Sequence, residues 1–223
     1  MLGHGGSRLT IDTDTAVAPA PPTLRAAHKE LTRSRIRDAA KELFYQQGYN
    51  ITTMDQIAMA AGVRRSTLYF HFKDKGEIVR RIAEDYAPKA TAVMGSLPGP
   101  RPTKAQIDAW IDDCIEFVRA ERAPTVLFRE VTGSPAALAA DLHSLADKLI
   151  EAMAKPITAF RAALEPGEAQ AVARARAELV MRELTRVCLF ASRADATPQL
   201  GAMRAVARDL MFNFARGEAN LLA

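Results

Sequence analysis

An all-helical protein of about nine helices is predicted by two observations. No stretch of the 223 residues alternates apolar and polar side chains with the period of two that a half-buried strand requires. Apolar residues instead recur at three- and four-residue offsets, in segments separated by glycine and proline breaks at Gly48, Gly62, Gly95 to Pro102, Gly133-Ser134-Pro135 and Glu165-Pro166-Gly167. With 48% hydrophobic residues the chain has ample material for a core. Its two cysteines, Cys114 and Cys188, are far apart in sequence and lack a CxxC or histidine cluster, so they read as small apolar helix residues rather than a disulfide framework or a zinc site.

Taken in order, Met1 to Leu24 is rich in Gly, Ala, Thr and Pro without periodicity and is expected to be a disordered extension. Arg8 against Asp12 and Asp14 gives it little attraction for a polyanion. From Arg25 to Gln47 the stripe Ile36, Ala39, Ala40, Leu43, Phe44 predicts a core-facing helix that Gly48 ends, with Arg33, Arg35 and Arg37 near its start placed to meet phosphates. Residues 25–80 are expected to form one domain and 81–223 a second.

The next stretch carries the chemistry. Thr53 and Gln56 have the spacing of a capping box, so a short helix starts there and buries Ile57 and Ala58. Gly62 stands where that helix should stop in a left-handed turn, and Val63 plugs the angle to a second helix. This is helix-turn-helix logic. In the second helix Arg65, Ser66 and Tyr69 share one side while Leu68 falls roughly opposite as an anchor. Guanidinium groups pair bidentately with guanine or phosphate, hydroxyls bond phosphate oxygens, and a helix N-terminus attracts anions, so the outward face suits DNA.

Thr52-Thr53-Met54-Asp55-Gln56-Ile57-Ala58, then Ala61-Gly62-Val63, then Ser66-Thr67-Leu68-Tyr69-Phe70-His71-Phe72-Lys73-Asp74-Lys75, with Gly48-Tyr49 upstream, resembles the N-terminal DNA-binding domain of the TetR family of transcriptional regulators (TetR/AcrR type). The resemblance runs from about Thr32 to Val79. Ser66 stands where glycine is common, Phe70 where a second tyrosine is common and Gly76 where glutamate is common. The first adds a hydroxyl but limits close backbone approach, the second removes a phosphate contact, and the third weakens the first turn of the following helix. The DNA-binding set expected on this basis is Thr53, Arg64, Arg65, Ser66, Thr67, Tyr69, Phe70, His71 and Lys75. The resemblance implies that Lys75 is a phosphate contact and that the helix it begins connects the DNA module to the rest.

That helix starts at the cap pair Asp74 and Glu77 and runs through Ile78, Val79, Ile82 and Tyr86 to about Met94, with Pro88 predicting a kink near Glu84. Gly95 to Pro102 is a loop. Thr103 to Glu121 carries Ile107, Trp110, Cys114 and Phe117, and Pro124 opens a short helix to about Thr132. Ser134 and Pro135 read as a cap and first-turn proline of a long helix to Leu164, bent at Pro156, with Leu138, Leu142, Leu145, Leu149, Met153 and Phe160 on its apolar side. Two helices close the chain, Glu168 to Arg193 and Pro198 to Arg216.

Lys and Arg outnumber Asp and Glu by twelve to six between Arg25 and Arg81, a net +6 that leaves the rest of the chain at −2. Positive charge therefore gathers around the helix-turn-helix, as polyanion contacts demand. A single helix-turn-helix makes few base contacts, so a homodimer reading an inverted-repeat operator is expected. Val180, Leu184 and Val187, with the heptad-like Leu200, Met203, Leu210 and Phe214, are the candidate dimer seam; periodicity alone fits equally a stripe that completes the monomer core. The resemblance implies a four-helix dimer bundle and a small-molecule pocket in the second domain, for which Trp110, Cys114, Phe117, Phe128, His143, Met153 and Phe160 are candidate lining residues. The effector's identity is not readable.

No Gly-rich phosphate loop, GxSxG, HExxH or DxDxDG is present, and the adjacent carboxylates Asp112 and Asp113 point about 100° apart on a helix. No enzyme activity, cofactor or metal is expected. No run of eighteen apolar residues occurs, and Met1 to Thr23 lacks the apolar segment of a secretion signal, so a soluble cytoplasmic protein is expected. The reading is a ligand-responsive repressor. The alternatives are a helical interaction protein whose helix-turn-helix docks another protein, and a ligand-independent DNA binder.

Overall fold

The computed structural model describes residues 23–131, 136–193 and 197–217, the side chains of 136–142 excepted. Among the described residues every regular element is a helix: α1 Leu24–Gln47, α2 Met54–Ala60, α3 Arg65–His71, α4 Lys75–Met94, α5 Lys104–Ala120, α6 Arg122–Val131, α7 Ala136–Ala154, α8 Thr158–Arg161, α9 Gln170–Ala191 and α10 Pro198–Ala215. The extension up to residue 22, the cap proposed at Ser134-Pro135, and the side chains of Leu138 and Leu142 lie outside the described residues.

Ten helices stand against the nine expected because the long helix predicted from Ser134 to Leu164 is two. Pro156 offers no N–H to the ladder and its ring opposes the carbonyl four residues earlier, so α7 ends at Ala154 and the chain restarts at Thr158. The break is occupied from outside. Gly99 lies so close to the Pro156 backbone that a Cβ there would sit 2.1 Å from the Pro156 carbonyl oxygen. The Gly95 to Pro102 loop thus closes against the end of α7, and a side chain at 99 would push it off. Pro88, by contrast, lies inside a continuous α4.

Local devices set the ends of the N-terminal helices. Thr53 Oγ1 accepts from the Gln56 amide at 3.2 Å while Gln56 Oε1 accepts from the Thr53 amide at 2.8 Å, completing the capping box. Gly62 has φ +62°, the left-handed conformation that costs a residue with a Cβ about 1–2 kcal/mol. Asp74 Oδ1 accepts from the Glu77 amide at 2.8 Å at the start of α4, and Glu77 reaches back to the Lys73 amide at 2.7 Å.

Two apolar clusters hold the molecule. The first gathers Ile36, Ala40 and Phe44 of α1, Ile57, Leu68, Phe72 and the first part of α4. It continues into Leu127, Phe128 and Val131 of α6 and Leu145 of α7, so elements from the second half of the chain help to build the core of the first. The second cluster joins α5, α7, α8, α9 and α10 around Trp110, whose indole N–H donates to the Val93 carbonyl at 2.9 Å. Lys104–Asp209, Arg204–Asp112 and Arg208–Asp108 ion pairs tie α10 to α5. Asp112, one of the adjacent carboxylates, is thereby engaged with Arg204 at 2.6 Å.

Candidate nucleic-acid interface

Leu68 is completely buried and anchors α3 against α1 and α4, which leaves the opposite side of α3 in solvent. Arg64, Arg65, Ser66, Tyr69 and Phe70 are exposed there, Thr67 and His71 partly so. Tyr69 is 44% exposed and Phe70 76%. Arg65 is oriented from two directions: its guanidinium bonds Asp55 Oδ2 of α2 at 2.7 Å and lies 5.5 Å from the centre of the Tyr69 ring. Both partners are exposed, so the pair is weak and yields readily to a stronger anion. Arg64 occupies the cap position of α3 without a side-chain cap bond.

Other expected contacts also bond within the chain. Thr53 spends its hydroxyl on the α2 cap. The Lys75 ammonium donates to the carbonyls of Tyr49 at 2.8 Å and Asn50 at 3.3 Å and lies 4.5 Å from the centre of the Tyr49 ring. Burial pushes the Lys75 pKa down against the opposing pull of Glu130. Arg35, expected near phosphate, instead donates to the Ala61 carbonyl at 2.7 Å and steadies the turn containing Gly62. Arg37 pairs with Glu30 and Asp85, both at 3.0 Å. Basic residues expected to meet phosphates thus also brace the turns of the helix-turn-helix. Periodicity indicated the side of α1 but could not say which carbonyl or carboxylate would stand opposite.

His71 has its Nδ1 buried without a hydrogen bond. Burial first, then the cations Arg33 and Lys29, hold its pKa below the ordinary 6.5. These charges come from α1 and mark a positive field beside the end of α3.

Glu130, at the end of α6, was not among the expected residues. Its Oε1 accepts from the Tyr49 amide at 3.0 Å, in the turn that Lys75 holds from the other side. A carboxylate at the end of an amphipathic helix gives no sequence signal for a partner 81 residues away.

Behind α6 lies a cavity of about 650 Å³ between α4, α6, α7 and α9, lined by Tyr86, Thr125, Phe128, Leu149, Ile150 and Met181, with Arg129, His143, Glu178 and Arg182 supplying polar groups. Tyr86 Oη and Thr125 Oγ1 are 3.2 Å apart, and burial pushes the phenol up to about 12. Of the expected lining residues, Phe128 and His143 are here, and Phe117 packs against Tyr86 with tilted rings whose centres are 5.3 Å apart. Trp110, Cys114, Met153 and Phe160 are instead packed within the second cluster. Burial raises the thiol pKa of Cys114 and brings that of Cys188 up to about 12.

The two final helices turn Val180, Leu184, Val187, Leu200 and Phe214 inward, into the same cluster. Met203 and Leu210 are half-buried. The large apolar groups facing solvent on these helices are Val172, Leu179 at 54% and Val206 at 58% exposure. No helix of the described residues is long and apolar enough to cross a membrane.

Residues 36–82 match the family model of bacterial regulatory proteins, tetR family. The regulator SrpR of Pseudomonas putida is 49% identical over 57 residues, which cover 26% of this chain and 27% of that protein. The repressor BepR of Brucella suis is 45% identical over 51 residues, 23% of this chain and 24% of its own. The chain thus spans about a quarter of the length of the curated relatives it matches. In fold the likeness covers far more. A tetR-family transcription regulator from Shewanella superposes with a TM-score of 0.62 at 17% identity, over 82% of this chain and 96% of that one. The regulator FadR of Bacillus subtilis, solved in complex with stearoyl-CoA, superposes with 0.58 at 16% identity, over 81% and 98%.

Proposed function

With the tetR-family match of residues 36–82 as the premise, we propose that the chain is a DNA-binding transcriptional regulator that acts as a ligand-responsive repressor, a homodimer on an inverted-repeat operator. The observation that carries this reading is the outward side of α3. Arg64, Arg65, Ser66 and Tyr69 stand exposed on a helix fixed from behind by Leu68, which is the arrangement that lets side chains reach base edges while the scaffold stays rigid. Lys75 and Thr53 act behind this face, holding the turns that aim it.

The dimer uses the outward sides of α9 and α10, centred on the exposed Leu179 and Val206 and flanked by the half-buried Met203 and Leu210, since the inward apolar row of each helix is already consumed in the core. The cavity behind α6 takes the effector. Its volume lies within the 300–1,000 Å³ typical of small-molecule sites, and its apolar walls with a few polar groups suit a mostly apolar molecule with a polar end. The solved complex of FadR with stearoyl-CoA supports a small-molecule site in this fold. α6 links the two sites, because Thr125 and Phe128 line the cavity while Glu130 bonds the Tyr49 turn of the head. A ligand changes DNA affinity only by binding one placement of α6 more tightly than the other.

The test is selection of bound duplex from a random-sequence pool at two salt concentrations, followed by Arg65→Ala and Tyr69→Phe on the recovered site. Recovery of an inverted repeat and loss of affinity in Arg65→Ala is the expected result; both variants binding as wild type does would refute the assignment of α3. Val206→Glu should give monomer on a sizing column, and an unchanged dimer would place the interface elsewhere. The exposure of Met59 and Phe70 favours one other reading, docking of a protein partner on the same face, and weak sequence-independent DNA binding would bring it forward.

A further inference from the structure

We propose that the first three turns of α1 form a second DNA contact, in which Arg25 and Lys29 grip backbone phosphates flanking the base pairs that α3 reads. The inference rests on the DNA-binding reading above. It concerns residues outside the family match, since α1 begins at Leu24 and the match at residue 36.

The row Arg25, Lys29, Arg33 continues along the helix into Ile36, Ala40 and Phe44, the side of α1 that is buried in the head. A helix face that merely extended over more core would stay apolar. Here it becomes cationic where the core ends. Like charges four residues apart repel one another and weaken a helix, so the spacing of this row does not serve the helix itself.

The row lies beside the reading helix. The Lys29 ammonium is 5.9 Å from the centre of the exposed Phe70 ring, and the Arg33 guanidinium is 5.5 Å from that of Phe72. Glu30 is the one carboxylate between residues 24 and 35, and it pairs with Arg37 at 3.0 Å. Among the described residues Arg25, Lys29 and Arg33 have no ion pair, and Arg25 and Lys29 are exposed. Beside the larger effect of burial, Arg33 and Lys29 pull the His71 pKa down and Glu30 opposes them, so the cations of this row are felt at the end of α3. Twelve residues of helix measure about 18 Å, long enough for the row to meet more than one phosphate of a strand. Phosphodiesters, spaced along the duplex backbone and carrying one charge each, are the ligand this row fits.

The experiment compares the full-length wild type with the double variant Arg25→Ala/Lys29→Ala, and with the charge-preserving Arg25→Lys/Lys29→Arg, on a random-sequence duplex of about 40 base pairs across a salt series. Two lost phosphate contacts should lower the slope of log affinity against log salt by about 1.8, so that the fall in affinity between 50 and 200 mM salt shrinks by roughly tenfold. The charge-preserving variant should keep the wild-type slope. Equal slopes for wild type and the alanine variant overturn the inference and leave the DNA-binding reading intact. A wild type with no salt-dependent DNA binding overturns both. Since both side chains are exposed, the unfolding midpoint should be unchanged, and a lowered midpoint with an unchanged slope assigns the row to folding instead.

Discussion

The head built by α1, α2 and α3 and the bundle built by α5, α9 and α10 are stabilised in different ways. In the head the helices of seven residues are too short to persist alone, and their ends are specified one by one through the Thr53–Gln56 box, the left-handed Gly62 and the Arg35 bond to Ala61. In the bundle, helices of seventeen to twenty-two residues pack through apolar rows whose members are interchangeable if volume is kept.

The largest expected effect tests the bundle. Trp110 is 2% exposed and keeps its N–H on Val93, so Trp110→Ala should cost about 3–5 kcal/mol in urea unfolding. A cost below about 1 kcal/mol would mean that the bundle refills the space and that its packing carries less than the head's devices. Next comes the turn. Gly62→Ala forces a Cβ into φ +62° and within 2.9 Å of Arg35, so about 1–2 kcal/mol should be lost, together with DNA binding if α3 is displaced. Retained stability there would show that the head is as tolerant as the bundle. Thr53→Ala should cost about 1 kcal/mol and Thr53→Ser very little, read from the same unfolding curves.

The smallest effect is in pH. Burial and the neighbouring cations keep His71 neutral in the fold and hold its pKa below 6.5. The unfolded chain therefore binds the proton more readily, and this contribution to stability is complete above 6.5 and lost as pH falls through the folded value. The melting temperature should decline slightly below pH 6.5, and His71→Asn should flatten that decline. An identical decline in the variant would remove His71 from the account. Bound phosphates should pull the pKa back up, so DNA binding by the wild type should take up protons near this pH.

The sequence by itself determined what depends on near neighbours. The capping box, the stop at Gly62, the cap at Asp74, the anchor Leu68 and the side chains that α3 turns outward all follow from offsets of one to four residues, where helix geometry leaves no alternative. Even Pro156 was legible as a disturbance. That the resulting break receives the Gly99 loop was decided by tertiary structure.

The tertiary structure also decided which of two apolar rows on α9 and α10 faces inward. Heptad spacing groups residues on a face but does not orient the face, and Val180 and Phe214 went to the core while Leu179 and Val206 stayed outside. It decided which carbonyls and carboxylates Arg35, Arg37 and Lys75 meet within the chain, and that the cavity opens beside Phe128 and His143 rather than around Trp110. These depend on partners distant in sequence, as the Arg35 bond to Ala61, 26 residues away, illustrates. A one-dimensional pattern states what a side chain offers. The packing of the whole chain settles what it meets.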